Sequence, residues 1–320
     1  MKKIAITMGD PSGIGPEIAL KSLSRKSNLR SRCIIYGSKN VLEYYKDLLK
    51  IDIDINYLTK NERFDENKIN SIDIGNYEEM KIGQVNPSAG KFSYKYIEKA
   101  IKDDLEKKVS AVVTCPINKE ALNKAGIPYQ GHTEIFAALT KTKSYSMMLW
   151  SEKLIVDHVS THVPLKEACD LVKKDRVLEC IELLSKAVKK LRGENYKLAV
   201  AGLNPHASEN SLFGDQEKME ISPAVLEAQK KGIPVEGPIS PDTVFFKAAN
   251  GIYDGVVCMY HDQGHIPLKI LDFYNGVNVT LGLPIVRTSV DHGTAFDIAG
   301  NGIANEASLI KAIELAEKLI

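Results

Sequence analysis

Val256-Val257-Cys258-Met259-Tyr260-His261-Asp262-Gln263-Gly264 is a short apolar run that ends in a polar turn carrying a histidine. Four consecutive apolar residues read as a buried strand, of the kind covered on both faces in a parallel sheet. The same arrangement recurs twice. Leu154-Ile155-Val156 precedes Ser160-Thr161-His162, and Leu198-Ala199-Val200 precedes Asn204-Pro205-His206-Ala207. In α/β folds the C-terminal ends of strands are where ligands and catalytic groups gather. Three imidazoles delivered to one sheet edge can make an open metal site, with positions left for a substrate.

Further strands are expected at Ile4–Thr7, 33–36, Ala111–Thr114 and 147–150, with the three histidine strands at 154–159, 198–202 and 255–260. Helices follow the i, i+3, i+4 spacing of apolar residues. One carries Ile97, Ile101 and Leu105. Another carries Val177, Ile181, Leu184, Val188 and Leu191. A third, with Leu309, Ala312, Ile313, Ala316 and Leu319, lies last. Strands that alternate with helices predict an α/β fold with a mainly parallel sheet and helices on both faces. The polar stretch 60–68 reads as a surface loop.

Composition narrows the function class. The chain has 320 residues, 44% hydrophobic and 26% charged, the profile of an ordinary globular protein. Its 42 basic and 41 acidic residues leave a net charge of +1. Bulk electrostatics thus points to neither nucleic acid nor membrane. No apolar stretch is long enough for a transmembrane helix. Cys33, Cys115, Cys169, Cys180 and Cys258 are scattered and form no Cys-x-x-Cys pair, so reduced thiols in a cytoplasmic setting are expected. Met1-Lys2-Lys3 runs straight into a strand with no apolar signal region, which agrees.

Several motifs could carry chemistry. Met8-Gly9-Asp10-Pro11-Ser12-Gly13-Ile14-Gly15-Pro16-Glu17 is a glycine-rich turn between a strand and a helix. Such turns let backbone approach an anion closely, and a tight turn with no ligand accounts for it equally well. The spacing is not Gly-x-Gly-x-x-Gly, so a standard Rossmann site is unsupported. Gly131-His132-Thr133-Glu134 opens another helix, with Thr133 as its cap and an anion or plain capping as the alternatives. Asp242 and Asp262 could orient a ligand imidazole or a substrate hydroxyl, and Asp242 could instead cap a helix beginning at Thr243. His265 reads as a loop residue or as support for His261. Lys269, Asn278 and Arg287, spread among Pro267, Gly276, Gly282 and Pro284, suit an anionic substrate or plain surface charge. The segment Asp291-His292-Gly293-Thr294-Ala295-Phe296-Asp297-Ile298-Ala299-Gly300 continues to Asn305 with many small residues, which suits backbone packed on a flat ligand.

Taken together, Gly9–Glu17, Gly131–Glu134, Asn204–His206, His261–Gly264 and Asn278–Gly300 resemble the 4-hydroxythreonine-4-phosphate dehydrogenase family of vitamin B6 biosynthesis, over nearly the whole chain. The last stretch also resembles the nucleotide loop of the β-decarboxylating dehydrogenases of isocitrate and isopropylmalate. The resemblance implies two α/β/α subdomains, one of residues 1–115 plus 271–320 and one of 116–270, with the active site in the cleft between them. It implies that His162, His206 and His261 bind a divalent metal, Zn²⁺ first, with Mg²⁺, Mn²⁺ or Co²⁺ as alternatives. It implies substrate contacts from His132, Thr133, Lys269, Asn278 and Arg287. It implies that His292, Gly293, Thr294, Ala295, Asp297 and Asn305 line the adenosine end of NAD. A homodimer with a shared active site is implied too, with one metal histidine coming from the partner.

The expected reaction is oxidation of the C3 hydroxyl of 4-phosphohydroxy-L-threonine by NAD, then decarboxylation to 3-amino-2-oxopropyl phosphate. Lys269, Asp242 and Asp262 are the candidate proton acceptors. His265 departs from the family, where an apolar residue is usual, and resembles a sister branch acting on D-threonate or D-erythronate 4-phosphate to give dihydroxyacetone phosphate. A metal-dependent hydrolase would use the same histidines but leave residues 291–305 unexplained.

Overall fold

A computed structural model describes residues 2–59 and 62–320. The polar stretch 60–68 therefore begins, at Lys60 and Asn61, outside the described residues. The strands are β1 (Ile4–Thr7), β2 (Cys33–Gly37), β3 (Ile55–Tyr57), β4 (Ile69–Asp73), β5 (Ala111–Thr114), β6 (Ser146–Trp150), β7 (Ile155–His158), β8 (Leu198–Ala201), β9 (Val235–Ile239), β10 (Gly255–Cys258), β11 (Val277–Leu281) and β12 (Arg287–Val290). The chain divides into two compact units. The first holds Met1–Thr142, Leu283–Lys318 and Ile320, and the second Lys143–Gly282 with Leu319. These crossings differ from those expected at 115 and 271. Residues 116–142 stay with the first unit because helix Lys119–Lys124 packs on helix Pro87–Leu105, where Gly90 lets the backbone at Ala121 come close.

In the first unit the strand order is β3-β4-β2-β1-β5-β12, and every pairing is parallel. β1, β2 and β5 are buried from end to end, as their apolar runs require. β2 and β5 flank β1 on opposite sides, which makes the gap beyond β1 and β5 a topological switch point, the usual place for a ligand in such sheets. In the second unit the order is β11-β6-β7-β10-β8-β9. β7, β10, β8 and β9 run parallel, whereas β6 is antiparallel to both β7 and β11. The sheets are thus mainly parallel, with helices packed on them, and the order is not that of a standard Rossmann fold.

β7, β10 and β8 lie side by side, and the segments just beyond their C-terminal ends carry His162, His261 and His206, with His261 opening a helix. Cys33, Cys115, Cys180 and Cys258 are buried thiols and Cys169 is half-buried. No helix among the described residues is long and apolar enough to cross a membrane.

Candidate active site

The motif after β10 can be read residue by residue. Helix His261–Leu271 starts directly after Tyr260. The His261 imidazole Nδ1 donates to Asp262 Oδ1 at 2.7 Å, which leaves Nε2 as the ring's electron-pair donor. Gln263 accepts from Met259 N at 2.7 Å and donates to Gly202 O at 2.8 Å, tying the loop after β10 to the loop after β8. A side chain at Gly264 would put a Cβ 2.6 Å from His158 Nε2 and 2.9 Å from Cys258 Sγ. His265 stacks on His261, ring centroids 3.5 Å apart and planes 14° apart. The i, i+4 spacing places His261, His265 and Lys269 along one side of the helix.

His162 joins this group, its ring centroid 5.6 Å from that of His261. The two line a cavity of about 240 Å³ with Ser160, Thr161, Tyr260 and Asp262. His162 has φ +47°, a left-handed conformation costly for a residue with a Cβ and commonest at functional turns.

His206 is exposed on the turn after β8, where residues 206–211 all have positive φ and none is glycine. Side chains hold this turn. Asn204 N donates to Glu217 Oε1 at 2.7 Å, its Nδ2 donates to Gln216 and Glu217 at 2.9 Å, and Ser208 Oγ donates to Gly214 O. Among the described residues no three His, Cys, Asp or Glu side chains are grouped closely enough to hold a metal ion. The structure brings His162 and His261 together, and His206 stays outside that pair.

Asp242 sits in the first turn of helix Pro241–Ala249, so it does not cap a helix beginning at Thr243. Its carboxyl accepts from Ser240 Oγ, and that bond first, with His206 among the lesser causes, holds it below the usual carboxylate range. Thr133 likewise lies inside helix His132–Leu139, whose N-cap is Gly131.

In the first unit, Arg287 opens β12 with only 2% of its surface exposed. Its Nη2 donates to Thr114 Oγ1 at 2.9 Å, and its guanidinium lies 5.5 Å from the Phe136 ring centre. Burial pushes its pKa down to about 9, against a smaller opposing effect of Glu134. His132 is near enough to feel that charge. Burial first, then Arg287 and Lys119, drive its imidazole well below the usual range, and its Nε2 is buried without a hydrogen-bond partner. A buried guanidinium beside an unpartnered imidazole nitrogen is a ready receptor for an anion. Lys269, with its ammonium 5.1 Å from the Phe273 ring centre, and Asn278, on β11 opposite Leu149, belong to the second unit.

The segment after β12 packs on the glycine turn. Thr294 is buried, its carbonyl accepts from Ile14 N at 3.1 Å, and a Cβ on Gly13 would lie 3.0 Å from its side chain. Ala295 has φ +43°. Lys21 donates to Glu17 at 2.7 Å and to the carbonyls of Gly302 and Ala304 at 2.8 Å, while Ala304 N donates to Glu17 Oε1 at 2.7 Å. Thus Thr294 faces inward, while His292, Gly293, Asp297 and Asn305 are exposed.

The family model described as pyridoxal phosphate biosynthetic protein PdxA matches residues 29–316. This chain belongs to that family. An Oceanobacillus iheyensis protein, provisionally named a D-threonate 4-phosphate dehydrogenase, is 47% identical over 99% of this chain and 97% of its own length. The D-threonate 4-phosphate dehydrogenase of Pectobacterium atrosepticum is 45% identical over 99% of each chain. A Klebsiella pneumoniae structure titled 4-hydroxythreonine-4-phosphate dehydrogenase superposes with a TM-score of 0.89 at 42% identity, covering 100% of this chain and 99% of its own. The family is one of dehydrogenases.

Sequence reasoning missed the pairing of His158 with His265. The two are far apart in sequence, and a histidine inside a strand gives no sign of which loop it meets. It also missed the burial of Arg287, which on sequence alone looks like any charge near a loop.

Proposed function

We propose that the chain oxidises the C3 hydroxyl of a 4-phosphorylated four-carbon acid with NAD and a divalent metal, and that its substrate is D-threonate 4-phosphate or its erythronate epimer rather than 4-phosphohydroxy-L-threonine. The observation that carries the choice is full-length identity of 45% to a D-threonate 4-phosphate dehydrogenase, together with His265 where the vitamin B6 resemblance leads one to expect an apolar side chain.

The residues present suit a divalent ion. His261 keeps Nε2 as a lone-pair donor because its Nδ1–H donates to Asp262, and His162 lies beside it. His206 would supply the third imidazole from a second copy of the chain. A homodimer is supported by the exposed apolar residues of the second unit, Phe246, Ile266, Ile270, Phe273 and Tyr274, each more than half exposed. A bound divalent ion lowers the pKa of a hydroxyl and stabilises the charge that builds up as the C3 alcohol is oxidised and the β-carboxylate is lost.

The chain's own groups do the rest. Arg287 and His132 hold an anionic group of the substrate, the guanidinium by a charge-assisted hydrogen bond. Thr133 and Asn278 add neutral contacts. Lys269, Asp242 and Asp262 are the candidate proton acceptors, the Asp262 carboxyl accepting from His261 and that of Asp242 from Ser240. The exposed residues His292, Gly293, Asp297 and Asn305 would line the adenosine end of NAD, with Thr294 and Ala295 shaping the loop.

NADH formation with the three substrates tests this reading. It predicts a kcat/KM for D-threonate or D-erythronate 4-phosphate at least about tenfold above that for 4-phosphohydroxy-L-threonine. It also predicts that His206→Ala loses both bound metal and turnover. Preference for the amino acid would return the chain to vitamin B6 synthesis, and no NADH from any of the three would overturn the reading.

A further inference from the structure

We propose that His265, itself held by the buried His158, is the positioning residue for His261, and that the pair sets this site's affinity for a divalent cation; this rests on the metal reading above.

The argument is a chain of tautomers. His158 lies on β7 with none of its surface exposed. Its Nδ1 lies 2.8 Å from Met147 O on β6. A carbonyl only accepts, so Nδ1 carries the proton and Nε2 is left as an acceptor. With the ring fully buried, its neutral form is the favoured one. His265 Nδ1 lies 3.2 Å from that Nε2 and 3.0 Å from His261 O. Both partners are acceptors, so His265 carries its own proton on Nδ1 and shares it between them. Two hydrogen bonds to fixed groups thereby lock the His265 ring, whose face lies against His261 at 3.5 Å.

His261 is then held from two directions. Asp262 fixes which nitrogen bears its proton, and His265 fixes the plane of its ring. Gly264 makes the arrangement possible, because any Cβ there would collide with His158 Nε2. Filling space does not explain these residues. An apolar side chain at 265 would pack against His261 without the cost of burying polar nitrogens, and would leave His158 Nε2 without a donor.

The test reads metal affinity rather than turnover, by competition between the full-length chain and a chromophoric chelator for Zn²⁺. The expected result is about 10- to 100-fold weaker binding for His265→Leu, the range typical of residues that support a metal ligand. His265→Phe keeps a flat ring but lacks the N–H, and is expected to bind about tenfold weaker. If His265→Leu fails to fold, His265→Phe carries the test. Imidazole nitrogen chemical shifts give a second readout, in which His158 is the Nδ1–H tautomer in the wild type. Variants that bind Zn²⁺ within about twofold of a wild type that does bind it overturn this proposal alone. A wild type that takes up no divalent ion overturns the metal reading and this proposal with it.

Discussion

Asp10 is buried in the glycine turn after β1, where Ser12 N donates to its Oδ1 at 2.8 Å and its Oδ2 has no partner. Burial raises its pKa to about 7, against the smaller opposing effects of the backbone of Ser12 and Asn118. The fold therefore favours the protonated acid. That contribution is complete below the carboxyl's ordinary pKa near 4 and is lost as pH rises through 7. Tyr45, Tyr77 and Tyr96, which face it, are themselves shifted upward, chiefly by burial. Asp10→Asn removes the cost of ionisation, so it is predicted to gain stability over wild type as pH rises from 5 to 8, by on the order of 2–4 kcal/mol. Urea unfolding at both pH values checks this, and a difference that does not change with pH would contradict it. At this scale the sequence was readable where chemistry follows the local pattern. His162, His206 and His261 stand out because each follows an apolar strand. Asp10, Arg287 and His158 did not stand out as buried polar groups, because their burial comes from distant segments. No neighbour in sequence marks Arg287 as 2% exposed.

Helix His261–Leu271 shows what one element does for the site. It contains Pro267, and its apolar spacing is irregular, so the periodicity that revealed 97–105 and 177–191 is missing. It takes its place by approaching β7 at Gly264, where no Cβ fits. Gly264→Ala is predicted to cost about 1–3 kcal/mol through overpacking against His158 and Cys258. Thermal unfolding checks this, and an unchanged midpoint would show that the helix can shift away freely. β1, β5, β8 and β10 were legible, since they are buried throughout and their apolar runs announce it, whereas β3, β4, β9, β11 and β12, whose sequences mix polar with apolar residues, were not expected. The helix caps were less legible. Gly131 and Ser240 occupy the N-cap positions that Thr133 and Asp242 seemed suited to fill, because a polar residue inside a first turn looks the same in sequence as one just outside it.

For the whole molecule, alternation of strand and helix was enough to give a mainly parallel α/β fold, because parallel strands need crossover helices. Where the chain leaves one unit for the other was harder to see. Helix Lys119–Lys124 stays in the first unit through a contact at Gly90 that no composition shift signals. The exposed apolar side chains are concentrated in the second unit, from Leu165 to Tyr274. The proposed reaction joins a metal, NAD and loss of CO₂, and its products test it most directly. The measurement is NADH and CO₂ released from D-threonate 4-phosphate by the full-length chain with NAD, before and after treatment with a strong chelator. The expected result is equal amounts of both, abolished by the chelator and restored by added divalent ion. NADH without CO₂, or turnover that the chelator leaves untouched, would contradict it.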